Sequence, residues 1–221
     1  MFGSYLALSL LALARTQAPE LCLTLLVRSR ARLDAKLGPT LASDLCHIVE
    51  GELDAPPALP VGQPDIIIHA ASPATPRDYA TNPVGVIRAN AMGTFALLER
   101  YAREHPVRFL MLGSGVYGES DNIGPVDENA FGAVRTLDPR NCYIESKRMA
   151  ENLLACWRRQ YGIDFGVARI FHTFGPGVDL DDGRIFSDLI KAALNRQAME
   201  LTSDGSAKRT FCYLADAVSA L

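Results

Sequence analysis

Three apolar runs limit what this chain can become. Asp65 to Ser72 reads DIIIHAAS, Arg108 to Ser114 reads RFLMLGS, and Asp164 to Phe171 reads DFGVARIF. Each is continuous and aliphatic rather than alternating, the pattern of a strand buried on both faces. Segments with helix character separate them. Apolar strands alternating with helices build right-handed βαβ units and a doubly wound parallel sheet. Ligands of such a sheet lie at the carboxyl ends of the strands. Here those ends read AAS, GSG and FHTFGPG, small or polar where a bulky side chain would block a cofactor.

The remaining elements follow in order. Residues 4–17 are rich in Ala and Leu and predict a helix, stopped by Pro19. Its core, Ser4 to Ala14, imitates a signal peptide, but no basic residue precedes it and it is too short to span a bilayer. A buried helix covering one sheet face is the expectation. Leu21 to Val27 and Cys46 to Val49 predict strands, with a polar helix over Ala31 to Leu37 between them. Asp54 to Pro64 holds four prolines and predicts a loop. A single long helix is expected from Tyr79 to Glu104, and a loop from Gly118 to Asn141. Beyond Gly177 the pattern reads as helix, short strand, turn, short strand and the start of a helix.

Composition narrows the class. Hydrophobic residues make up 48% and charged residues 21% of the 221, so the chain is globular. A net charge of -3 gives no reason to expect nucleic acid or an anionic membrane as partner. Five scattered cysteines and four histidines show no metal-ligand spacing. The cysteines read as reduced thiols of a cytoplasmic protein.

The chemistry concentrates in DPRNCYIESKRMAENLLACW, Asp138 to Trp157. Turn residues open it and an amphipathic helix follows. Tyr143 and Lys147 stand four apart and so share a helix face. An ammonium beside a phenol favours the phenolate and is expected to lower the tyrosine pKa. Such a tyrosine can take a proton from a sugar or alcohol hydroxyl. The bland alternative is a Tyr and a Lys that merely share a helix side.

Six stretches decide between these readings: DIIIHAAS, NPVGVIRANAMGTFALLE, GSGVYGE, RNCYIESKRMAEN, ARIFHTFGPG and DGSAKRTFCYLADAVSAL. In their order and spacing they resemble the extended short-chain dehydrogenases/reductases, the NAD-dependent nucleotide-sugar epimerases and dehydratases. PRNCY–SKRMAE and ARIF–TFGP most resemble the UDP-glucuronate decarboxylase branch. The resemblance implies a Rossmann-type dinucleotide-binding domain over 1–171 and the beginning of a small substrate-binding region over 172–221. Gly3 matches the last glycine of the family's phosphate-binding loop, while its first strand and first two glycines are absent. The resemblance therefore implies a piece of a longer protein or a damaged gene product. Two strands lacking a ladder partner, and weak cofactor binding, are expected of it.

The resemblance also assigns roles. Tyr143 is the general base and acid at the sugar C4 hydroxyl, Lys147 holds the nicotinamide ribose, and Ser114 hydrogen-bonds the same hydroxyl. Ala70, Ala71 and Ser72 pass beneath the cofactor, Asn90 braces the site, and Glu52 lies near the adenine. NAD is the expected cofactor; Arg28 stands where an acid often binds the ribose 2′-hydroxyl, and an Arg there favours a 2′-phosphate, so NADP is admitted. Arg209 grips the diphosphate of a nucleotide-sugar substrate, His172 replaces a usual asparagine, and Arg184 is a further substrate contact. A homodimer through the long helix and the Tyr143 helix is a final implication.

Departures temper these roles. Ser114 precedes Val116 by two residues where the family spacing is three. Gly115 stands where the dehydratases carry Asp-Glu and the decarboxylases Glu, and Gly177 where the decarboxylases have Arg. An epimerase or 4-keto reductase needs only the Ser/Tyr/Lys set and fits the surviving residues best, within an expected epimerase/dehydratase-type oxidoreductase acting through a 4-keto sugar. A UDP-glucuronate-type decarboxylase and a non-catalytic nucleotide-binding remnant are the alternatives.

Overall fold

The computed structural model describes residues 1–41, 43–115, 126–130, 132–199, 204–206 and 208–221. The chain opens with helix α1, Phe2–Thr16, whose buried Ala7, Leu11 and Ala14 recur at helical spacing. Strand β1, Leu23–Val27, and β2, Cys46–Glu50, flank helix α2, Arg30–Leu37, which Ser29 caps through its side chain. Strands β3, Ile66–His69, β4, Arg108–Ser114, and β5, Asp164–Ile170, form a parallel sheet in that order.

Side-chain alternation places β3 between two helical layers. Ile67 packs with Phe109 and Met111 of β4 and with Leu97 and Leu98. Helix α6, Cys142–Tyr161, adds Ala150, Leu154 and Trp157 to that face. Ile68 points the other way, toward Leu6 of α1 and toward Leu214 and Val218 of helix α8, Leu214–Ser219. Burial on both faces is why the run reads as continuously apolar.

The sheet is not one ladder. β1 pairs with β2 in parallel, from Leu23 with Cys46 to Val27 with Glu50, and no ladder joins β1 to β3 among the described residues. Apolar packing connects them instead. Leu11 and Ala14 of α1 pack with Leu23 and Leu25, while Leu6 of the same helix packs with Ile68. On the opposite face Leu26 joins the cluster around Ile67.

The long helix expected from Tyr79 to Glu104 is interrupted. Helix α3, Pro76–Thr81, ends at Asn82, which leaves helical geometry at φ -147° and caps α4, Pro83–Ile87, through its side chain. Pro83 explains the break, because it lacks an N–H and pushes the preceding residue out of the helical region. Onward the helix widens into π turns at Arg88–Met92 and Leu98–Ala102, around α5, Gly93–Leu97. A third, two-stranded parallel sheet, β6, His172–Phe174, with β7, Phe211–Tyr213, follows β5 in the chain. Strand β5 thus stops at Ile170, one residue short of expectation. Helix α7, Ile185–Leu194, precedes β7. The first short strand expected after Gly177, the Val116–Tyr117–Gly118 triplet and much of the loop to Asn141 lie outside the described residues.

Candidate active site

Asp138 accepts the Arg140 backbone N–H at 3.0 Å and stiffens the turn before α6. That turn places Tyr143 and Lys147 near the start of the helix, facing the end of β4. Ser114, the last residue of β4, hydrogen-bonds the Tyr143 phenol. The structure therefore brings Ser114 to Tyr143 in spite of its shifted spacing.

Lys147 is buried, and its Nζ donates to the Leu112 carbonyl at 2.7 Å. The ammonium lies 5.9 Å from the centre of the Tyr143 ring. Burial lowers the Lys147 pKa to about 8, against the opposing pull of Glu151. The expected depression of the Tyr143 pKa is not found. Burial pushes the phenol up, and the influences that favour the phenolate are Ser114 and Arg184, not Lys147. Desolvation outweighs them because the ammonium is directed at a β4 carbonyl.

Behind this pair lies a buried polar layer. Asn90, in the first π turn, is fully buried and donates from Nδ2 to Ser146 Oγ at 3.0 Å. Thr94 Oγ1 donates to the Asn90 carbonyl at 2.6 Å. His69, at the end of β3, packs edge-on against Phe109. Asn90 Oδ1 is buried without a hydrogen-bond partner among the described residues, and the buried His69 ring nitrogens have no well-formed bond, only a weak approach to the Ala89 backbone. Burial, and then the Lys147 charge, lower the His69 pKa to about 3, against a weaker pull from the Ala89 backbone.

Sequence reasoning missed Tyr79. The capping box of α3, Thr75 with Asp78, fixes the first turn that carries it. Its ring stacks on Tyr143, centroids 5.1 Å apart and planes 25° apart. Burial and the Tyr143 phenol push the Tyr79 pKa up. The signal was Thr-Pro-x-Asp before an aromatic residue, a helix start that specifies no partner.

The remaining residues divide into two groups. Gly3 lies in the first turn of α1, and a methyl group there would meet the Ala70 Cβ at 3.7 Å. Met1 at the α1 N-cap supplies no side-chain hydrogen bond, so the first-turn amides beside Ala70 are open. Ala71 is exposed, and Ser72 Oγ donates to the Pro73 carbonyl at 3.2 Å. Arg28 follows β1 and is exposed. Glu52 is exposed and bridges to Ala55 through the backbone. Open helix amides next to small strand-end residues, with a buried Lys beyond, suit a dinucleotide.

The second group gathers around His172, whose pKa falls through burial and through the charges of Arg209 and Arg184. Arg209 is exposed, while Arg184 is half-buried and donates from Nη2 to the Ala74 carbonyl at 2.5 Å. Gly177 has φ 79°, and a methyl group placed there would meet no atom within 4 Å, so no side chain acts from that position. Gly115 is different. A Cβ there would meet the Phe171 ring at 2.5 Å.

The model of the NAD dependent epimerase/dehydratase family matches residues 1–221. UDP-glucuronic acid decarboxylase 5 of Arabidopsis thaliana is 41% identical over 157 residues, covering 71% of this chain and 46% of that protein. UDP-glucuronic acid decarboxylase 1 of Danio rerio is 38% identical over 157 residues, covering 71% and 37%. The chain thus aligns with about half the length of these relatives or less. Among solved structures, the UDP-N-acetylglucosamine 4-epimerase of Methanobrevibacter ruminantium superposes with TM-score 0.80 at 21% identity, over 100% of this chain and 68% of that one. The UDP-glucuronic acid 4-epimerase of Bacillus cereus, solved with UDP-glucuronic acid and NAD, gives TM-score 0.78 at 21% identity, over 98% and 67%. At that identity the likeness establishes the fold. Among the described residues no helix is long and apolar enough to cross a membrane.

Proposed function

The chain belongs to the NAD dependent epimerase/dehydratase family, and from that premise we propose that it is an oxidoreductase acting on a nucleotide-diphosphate sugar through a 4-keto intermediate. The observation that carries this reading is the Tyr143 phenol, hydrogen-bonded by Ser114 with Lys147 buried on the next helical turn. Tyr143 takes the proton of the C4 hydroxyl and later returns it. Ser114 holds that hydroxyl in line. Lys147 binds the nicotinamide ribose, and the open first turn of α1 with Ala70, Ala71 and Ser72 receives the pyrophosphate. When bound, NAD supplies the hydride acceptor and donor. The exposed Arg28 leaves room for a 2′-phosphate, so NADP is the second choice.

Arg209 and His172 hold the diphosphate side of the substrate, and Arg184 the sugar side. Asn90 keeps the Tyr143 helix in place through Ser146, and Glu52 borders the adenine. We divide the chain after Phe171, where the three-stranded sheet gives way to the β6–β7 ladder. Exposed Met92, Phe95 and Met149 on the long helix and α6 offer a homodimer face. Free, scattered cysteines accord with a cytoplasmic setting.

A decarboxylase is the second reading, favoured by 41% identity to a UDP-glucuronic acid decarboxylase. Gly115 stands against it, because it carries no acid to assist that step. The test is thermal unfolding with NAD, NADP and UDP-sugars. Saturation at 100-fold the dissociation constant stabilises by about 2.7 kcal/mol. Tyr143→Phe should keep the NAD shift and lose turnover. No shift with either dinucleotide would defeat the proposal.

A further inference from the structure

His172 differs in kind from the arginines beside it, because an imidazole can gain or lose its charge near neutral pH. It opens β6 in register with Phe211 of β7, and its ring meets the Phe211 ring edge-on, with centroids 5.7 Å apart. The side chain is half-buried, and no hydrogen bond holds either ring nitrogen among the described residues. The family's usual asparagine at this place has no charge to gain.

The charged groups around the ring are cations. Arg209, two residues before Phe211, is exposed, and its Nη1 donates to the Lys208 carbonyl at 2.8 Å. Arg184, the N-cap of α7, is fixed at the Ala74 carbonyl and lies 3.7 Å from Asp182. On β7, the Cys212 Sγ is directed at the Tyr213 carbonyl. Helix α8 also packs on β6, and its one acid, Asp216, is not among the groups that act on the ring. Burial first, then Arg209 and then Arg184, hold the imidazole below its usual pKa of 6.5, so the ring is neutral at pH 7. A bound anion reverses this balance. It offsets the two arginines, and an opposite charge within about 4–6 Å favours the charged form by about one to three pKa units. An imidazolium donates from both nitrogens where the neutral ring donates from one, and its bonds to a charged oxygen are the stronger.

We propose that His172 takes up a proton when the substrate's diphosphate binds, so that this chain holds its nucleotide sugar with a cation that exists only in the complex and holds it tighter as the pH falls. This rests on the nucleotide-sugar reading of the site. The sign follows from linkage. Between the free and the bound pKa of His172 the complex carries more protons than the free protein, so affinity rises as pH falls through that window and levels off on either side. Arg209 and Arg184 keep their charge throughout and contribute no such dependence. An asparagine at position 172 contributes none either.

The test is calorimetric binding of UDP-glucose, with saturating NAD, to the wild type, His172→Asn and His172→Gln, in two buffers of different ionisation enthalpy. UDP-glucose is the probe because its diphosphate is substituted at both ends and does not itself titrate near neutrality. The wild type should take up a fraction of a proton on binding and bind about threefold or more tighter at pH 5.5 than at pH 7.5, part of the tenfold that a pKa rise of one unit supplies. Both variants should bind without proton uptake and with an affinity independent of pH over that range. The second variant keeps the comparison if the first fails to fold. The chain has four histidines, so the His172 proton resonances are assigned by their loss in either variant. Their titration midpoint in the wild type should rise by about one unit or more when UDP-glucose is added. Binding without proton uptake, or equal uptake in the wild type and the variants, would overturn the proposal and leave the nucleotide-sugar reading standing. Failure of the wild type to bind UDP-glucose at any pH would overturn that reading and the proposal with it.

Discussion

Tyr79 lies against Tyr143 with ring centroids 5.1 Å apart and planes inclined by 25°. The stack makes the capped turn of α3 a wall of the active site and restricts the orientation of the Tyr143 phenol. Offset stacking contributes about 1 kcal/mol beyond area burial. Tyr79→Phe should preserve stability within about 0.5 kcal/mol, since the ring remains. Tyr79→Ala should lose about 2 kcal/mol and lower turnover at least tenfold, because a misplaced base reacts poorly. Chemical denaturation and steady-state kinetics of both variants check this. Equal turnover in Tyr79→Ala and the wild type would remove Tyr79 from the site.

Gly115 is held without a side chain by Phe171, whose ring would lie 2.5 Å from a Cβ at that position. Gly115 N–H also donates to the Ile170 carbonyl at 2.9 Å, so the backbone cannot easily retreat. Gly115→Ala should cost about 1–3 kcal/mol through overpacking. In a Phe171→Ala background most of that cost should vanish, a non-additivity that a double-mutant cycle measures directly. Additive single and double variants would mean that Phe171 does not exclude a side chain there. The same clash predicts that Gly115→Glu fails to place a carboxylate in the site unless Phe171 is also reduced.

Particular residues show what was legible in the sequence. Ile66, Ile67 and Ile68 announced a two-faced strand because β-branched runs state burial without reference to any partner. Tyr143 and Lys147 were legible because helical spacing fixes their common face. The direction of Lys147 was not. Its Nζ turns to the Leu112 carbonyl, a contact 35 residues away in sequence, and local spacing carries no such information. The break at Asn82–Pro83 was readable from Pro83 but was overridden by the apolar periodicity on either side. Arg184 appeared as a minor contact because its importance depends on Ala74, 110 residues away. Tyr79 was invisible for the same reason. Stacking is a tertiary fact, and the motif around it specifies only a helix start.

His69 makes the fold sensitive to acid. Its pKa is about 3 in the folded chain against 6.5 unfolded, chiefly through burial and then through Lys147. Between those values the unfolded chain binds one proton more, so stability falls as the pH drops from 6.5 toward 3. His69→Leu should remove that one-proton component from the pH dependence of the unfolding free energy. At neutral pH the variant should be no less stable, because it also removes buried imidazole nitrogens that have at most one weak backbone partner, Ala89. Urea titrations from pH 4 to 7 would refute the assignment if both proteins kept the same slope.

Lys147 acts in the opposite pH range. Its pKa is about 8 when folded and 10.5 when unfolded. Below pH 8 both states carry the proton, and burial of the charge is a standing cost. Between pH 8 and 10.5 the unfolded chain binds more protons, so this cost is relieved as pH rises. Glu151 limits it. Glu151 favours the Lys147 ammonium, while its own carboxylate is held by Arg169 Nη2 at 2.8 Å and Nε at 3.2 Å. Lys147→Met removes the charge and keeps an unbranched chain in the same space. The variant should be more stable than the wild type near neutrality, and the difference should shrink from pH 8 to 10.5. Unfolding free energies of the two proteins across that range measure it directly. A difference independent of pH would mean that Lys147 titrates alike in both states and that its burial carries no electrostatic cost. The same variant should lose turnover, because the group proposed to hold the nicotinamide ribose is gone. Gain of stability with loss of activity would identify Lys147 as a residue kept for chemistry at the expense of the fold.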